Sequence, residues 1–337
     1  MAEGKARRRR TAPWLRYILW LALPLALAWA LRNVSLSDLS QSLRALQAGE
    51  LALLAAVNLL VVLAFSGRWW ALLRARRLRL AYLSLSAYRL AAFAISYFTP
   101  GTHFGGEPLQ VHLLYRRHGV PLPIATASVL LDKTIEMIAN FAFLAIGLAT
   151  VVVLGLQPSG SGLALPAISL LLAIVPGAYL IAAWLGKRPG TWAAAKLGLH
   201  AEGSGWRAKL VHGLAESERE VAVAARQAPA GILAGAGFSA LSWGLLLLEW
   251  AMALHFLEID LSAGEVVAVV TAARLALFAP LPGAAGALEA SLLLAVTALG
   301  YSAAQALSLA LVIRARDLAF GALGLWLGGW LVGRDSG

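Results

Sequence analysis

The chain has 337 residues, of which 60% are hydrophobic and 13% charged, with 28 Lys and Arg against 17 Asp and Glu and a net charge of +11. Soluble domains carry about a quarter charged residues, so this composition, with a mean hydropathy of +0.75, excludes a soluble chain and predicts an all-α polytopic membrane protein. The basic residues sit at the edges of apolar runs rather than on one face, the positive-inside pattern and not a nucleic-acid footprint, and the absence of cysteine excludes disulfides, thiolate metal sites and Cys nucleophiles.

Residues 1–13, with Lys5 and Arg7 to Arg10, form a basic tail expected in the cytoplasm; residues 14–333 are expected to form one transmembrane domain. The run 14–31 has spanning length, about 27 Å of helix. A cleaved signal peptide competes there, since Ala28 and Ala30 mimic a cleavage site, but the run is long for an h-region. After a polar loop at 32–49, residues 50–73 make the second span. Its cytoplasmic edge is read from Arg68, Trp69, Trp70, Arg74, Arg76, Arg77 and Arg79.

Residues 84–98 are apolar but give only about 22 Å of helix, too short for a hydrocarbon core of about 30 Å. The run stops at Pro100-Gly101, passes Gly105-Gly106, and resumes from Pro108 to a basic end at Arg116, Arg117 and His118. Broken backbone at membrane depth is tolerated only where protein or water satisfies it, so the segment is expected to be a re-entrant helical hairpin. Residues 123–156 cross outward, 157–162 turn, and 163–186 cross back. The basic stretch 187–229 is expected in the cytoplasm, with residues 205–226 as a helix lying on an anionic leaflet. Residues 231–256 cross outward again. A second short arm, 262–279, breaks at Pro280 and Pro282-Gly283, and its return starts at Gly286. Residues 303–332 then cross to a cytoplasmic end, leaving six spans, two hairpins and both termini in the cytoplasm.

The two breaks repeat one another. Each reads Pro-Gly, five residues, Glu: Pro100 to Glu107 and Pro282 to Glu289. Each follows an Arg-Leu-Ala triplet, opened by Arg89 in the first and Arg274 in the second. Three expected crossings separate the copies, which makes the repeats, 84–156 and 262–333, inverted. Each hairpin precedes a span bearing charges at depth: Asp132, Lys133 and Glu136 in one half, and Arg314, Arg316 and Asp317 in the other. Charge at that depth is costly unless it is paired or faces a hydrated cavity, and it marks a pathway. With Arg89 and Glu107 the first set sums to about −1, and with Arg274 and Glu289 the second to about +1, so buried ion pairs that only fix packing compete with a binding role. Asp132 and Glu136 share a helix face, from which Lys133 is rotated by about 100°.

In the functional reading, guanidinium groups hold phosphate oxygens, amides at the helix starts after Gly106 and Gly283 add donors, and carboxylates contact a cationic headgroup or exchange protons. His103 and His112 flank Glu107, but the second half has no matching histidine and no metal is expected. Glu249 is a further cavity or bridge residue. No Walker A, HExxH or GxSxG sequence is present, and no cofactor is expected.

The stretches RWW, YRLAAFAISYFTPGTHFGGEPLQ, SVLLDKTIE and LPGAAGALEASLLLAVTALG resemble the lysylphosphatidylglycerol synthase transmembrane family, also called the flippase-like or YbhN-type family. The resemblance covers nearly the whole chain. It implies a lipid-translocating module of the cytoplasmic (inner) membrane, expected to lack the aminoacyl-transferase domain of the fusion proteins, so synthase activity is not carried over. The expected function is a flippase for a polar, phosphate-bearing lipid. The alternatives are an intramembrane enzyme using Glu107 and His103 as acid and base, or a non-transporting partner of a separate lipid-modifying transferase.

Overall fold

The computed structural model describes residues 46–99, 105–156, 164–199 and 205–333. Their regular structure is all helical, in eleven α-helices and one 3₁₀ turn, with no strand among the described residues. The basic tail, the run 14–31, Pro100, Gly101, His103 and the 157–163 turn lie outside the described residues.

In chain order, α1 spans Ala48–Ala75, α2 Tyr82–Phe98, α3 Glu107–His118, α4 Leu122–Val153 and α5 Ala164–Trp184. Helix α6 spans Pro189–Lys196, α7 Trp206–Gln227, α8 Pro229–Phe256, α9 Ala263–Ala276, α10 Ala287–Ala298 and α11 Ala303–Gly333. Helices α1, α4, α5 and α8 are long and apolar enough to cross a membrane. Helix α11 has the length, 31 residues, but carries Arg314, Arg316 and Asp317 near its middle.

The exterior explains why water is the wrong solvent. Leu59, Leu60, Ile168, Leu171, Val175 and Leu233 are all at least half exposed, and α5 buries only Pro166, Ser169, Pro176 and Ala183. A helix apolar all round with one thin buried stripe is stable against lipid, where its backbone is satisfied internally. The chain is a multi-pass membrane protein.

Inside, α1 runs along α8, α4 along α5, and α2 along α11. Small residues allow the last contact: a Cβ added at Gly324 would lie 2.2 Å from the Leu90 carbonyl oxygen. The short helices form two broken pairs. Helices α2 and α3 pack on each other, with α3 also against α4; α9 and α10 pack on each other, with α9 against α4 and α10 against α11. At the first break, a Cβ on Gly106 would fall 2.0 Å from the Ala92 carbonyl oxygen, so only glycine lets α3 start against the α2 backbone. At the second, Gly283 and Ala284 are consecutive left-handed residues, with φ of 55° and 50°. For Ala284 that is a strained conformation, and it persists only where surroundings hold it.

The basic segment holds a second helix not read from the sequence. Glu218 of α7, 1% exposed, accepts from the Gly190 and Thr191 amides at 2.7 and 2.8 Å and from the Thr191 hydroxyl at 2.5 Å. It caps α6 from a neighbouring helix, satisfying amides that begin any helix without partners.

Candidate functional site

Both broken pairs contribute to one cavity of about 370 Å³, bounded also by α1, α4, α8 and α11. Phe65, Phe93, Met137, Phe141, Phe278 and Phe320 make much of its wall apolar. Arg89, Glu107, Asp132, Lys133 and Glu136 reach it from the first half, and Arg274, Arg316 and Asp317 from the second, joined by Glu249. The structure therefore brings together nine of the charged residues singled out in the sequence. Glu289 and Arg314 sit behind the second break instead, and His112 is exposed on α3.

The first charged cluster centres on a residue that sequence reasoning placed elsewhere. Arg68, read as part of the basic cytoplasmic edge, is 1% exposed. Its Nε donates to Asp132 at 2.8 Å, one terminal nitrogen to Glu136 at 2.5 Å, and the other to the Ser239 hydroxyl at 3.3 Å. Arg89 donates to the second Asp132 oxygen. Lys133 bonds Glu136 at 2.9 Å and lies 3.2 Å from Glu107, which itself accepts from the Gly105 amide at 2.8 Å. The offset of Lys133 around α4 thus does not separate it from Glu136: positions three apart still share a face, and the long lysine stem covers the remainder. With Arg68 included, this cluster holds three cations and three carboxylates, and its net charge is zero rather than −1.

In the second cluster Arg316 donates to both oxygens of Glu249, at 2.5 and 2.7 Å, and to Asp317 at 2.9 Å. Glu249, only 2% exposed, is the counterion the sequence tally for this half omitted. Arg274 differs from every other cavity cation. Among the described residues it makes no hydrogen bond or ion pair, and its guanidinium lies 4.8 Å from the centre of the Trp243 ring.

Arg314 holds the second break. Nε and one terminal nitrogen grip Glu289 at 2.7 and 3.0 Å; the remaining donors reach the Tyr97 hydroxyl at 3.1 Å, the Ala284 carbonyl at 3.1 Å and the Gly283 carbonyl. All five guanidinium donors are used, two of them on the carbonyls of the left-handed pair. Two of the amides at the helix starts are engaged within their own half: the Gly106 amide donates to Ser96 at 3.0 Å and the Gly286 amide to Glu289 at 2.8 Å.

A cavity with charged and aromatic walls, set between long apolar helices, is the arrangement an amphipathic molecule requires. The sequence model of the family described as the lysylphosphatidylglycerol synthase TM region matches residues 17–324.

The chain belongs to this family.

No curated protein compared with the chain matches it. The match to the lysylphosphatidylglycerol synthase TM region family extends over both broken pairs and every cavity residue named above, and it ties this membrane protein to lipid modification or transport.

Proposed function

We propose that the chain is a flippase of the cytoplasmic membrane, moving a polar, phosphate-bearing lipid through a site between two inverted hairpin repeats. The observation that carries the reading is the convergence of charges from both sequence repeats on one cavity whose other walls are aromatic and aliphatic. A lipid headgroup can occupy such a space while its tails stay in the bilayer. Both broken helix pairs line the cavity, and on this reading they are the two walls that part in turn, so that the site faces one leaflet and then the other. The positive-inside rule orients the basic 187–229 segment and both termini to the cytoplasm.

Reconstitution into vesicles with a headgroup-accessibility assay tests the reading. The protein is expected to accelerate exchange of a phosphate-bearing lipid between leaflets, and Glu107→Gln to abolish it. Glutamine retains an oxygen for the Gly105 amide but removes the charge facing Lys133, so the variant is expected to fold. Translocation undiminished in Glu107→Gln, or lipid recovered with a covalent change, would overturn the proposal; the second result would favour an intramembrane enzyme.

A further inference from the structure

Aligned on the glutamate after each break, Glu107 and Glu289, the two halves differ at the position 25 residues further on: Asp132 in the first and Arg314 in the second. The substitution has a structural result. Asp132 neutralises Arg89, the arginine of the first Arg-Leu-Ala triplet. Arg314 cannot do this for Arg274, the arginine of the second triplet, and is itself turned away to Glu289, Tyr97 and the carbonyls of the break.

Arg274 is thereby left facing the cavity with no carboxylate in contact among the described residues. Its charged neighbours, Arg316, Asp317, Glu249 and Glu136, lie beyond ion-pair distance, and each is engaged elsewhere: Arg316 with Glu249 and Asp317, and Glu136 with Arg68 and Lys133. The contact it makes among the described residues is with the Trp243 face, and that ring stacks on Phe143 with centroids 4.0 Å apart. An aromatic face returns a fraction of what removal from water costs a guanidinium, and it leaves the in-plane N–H donors of Arg274 without a protein acceptor among the described residues. A tetrahedral oxyanion suits those donors, because a planar fork matches two of its oxygens.

We infer that Arg274, seated on Trp243, is the receptor for a phosphate mono- or diester in this cavity. That the ester is a lipid headgroup rests on the flippase reading; the phosphate chemistry does not.

The test uses the purified full chain in detergent, with binding followed by native mass spectrometry and thermal shift. The probes are dihexanoyl phosphatidic acid, its uncharged counterpart dihexanoylglycerol, and inorganic phosphate. The wild type is expected to bind the phosphatidic acid and not the diacylglycerol. Arg274→Gln should weaken that binding at least about tenfold, and Arg274→Lys should restore part of it as a point charge. Lys196→Gln, on α6 and away from the cavity, should leave binding unchanged. Equal binding by Arg274→Gln and wild type overturns the inference, even where translocation persists. So does a lowered melting temperature in Arg274→Gln without loss of binding, which would make Arg274 a structural cation only. Binding of inorganic phosphate as tightly as the lipid, with no translocation, upholds Arg274 as the receptor and removes the flippase reading.

Discussion

Arg314 is bonded through all five donors, and its loss reaches further than one ion pair. Removing it leaves Glu289, with 11% of its side chain exposed, without its bidentate partner, and releases the two carbonyls that hold Ala284 in its left-handed conformation. Breaking a buried pair on one side costs about 3–5 kcal/mol, whereas removing both partners costs far less. Arg314→Leu is therefore expected to destabilise the protein by about that amount in detergent melting experiments, and Arg314→Leu with Glu289→Gln by a smaller one. Equal losses in the single and double variants would show that the pair is not what holds the break. Depth was legible for this residue: an arginine well inside a long apolar run, at a fixed distance after a repeated glutamate, announces a buried partner. For Arg68 it was not, because a basic run follows it closely and the positive-inside rule absorbs the whole group. The distinguishing signal is the apolar interval of Trp69 to Leu73, which puts about one and two-thirds helical turns between Arg68 and Arg74.

Among the elements, the two broken pairs depend on backbone approaches that sequence marks only as glycine. The Cβ of Gly106→Ala would fall 2.0 Å from the Ala92 backbone oxygen, and the atoms nearest to it are backbone, which cannot yield as a flexible side chain would. The variant is expected to push α3 away from α2, widen the cavity on the Glu107 side and lose translocation, while Gly49→Ala, whose Cβ meets nothing within 4 Å, leaves it intact. Crosslinking or a distance measurement between α2 and α3 checks the movement directly. Helix α6 depends on Glu218 in a comparable way: Glu218→Ala frees two amides and a hydroxyl, and is expected to cost about 1–2 kcal/mol on the N-cap scale. Proteolysis of the 187–229 segment would read that loss as faster cleavage. The apolar runs and the Pro-Gly breaks made the long helices and the broken pairs legible, since both follow from local chemistry. Helix α6 was not legible, because its cap comes from a residue 27 positions away in the chain.

For the molecule as a whole, the chain contains no cysteine, so single cysteines report sidedness without background. Lys209→Cys on α7 is expected to react with a membrane-impermeant maleimide only from the cytoplasmic face, and His255→Cys, at the far end of α8, only from the outer face. Labelling of both from one side would contradict the crossing of α8 and with it the inverted arrangement on which the proposed function rests.

Both clusters around the cavity are neutral when their members are ionised: Arg68, Arg89 and Lys133 balance Glu107, Asp132 and Glu136, while Arg274 and Arg316 balance Glu249 and Asp317. On the flippase reading, walls that rearrange between leaflets without a lipid would carry no net charge from these clusters across the membrane field, and the membrane potential would do no work on them. A lipid anion held at Arg274 becomes the moving charge, on which about 2.3 kcal/mol acts per 100 mV. A potassium diffusion potential imposed on proteoliposomes is then expected to drive an anionic lipid toward the positive side and leave the exchange of a zwitterionic one unchanged. Such a carrier would take its direction from the charge of the lipid and the polarity of the cell.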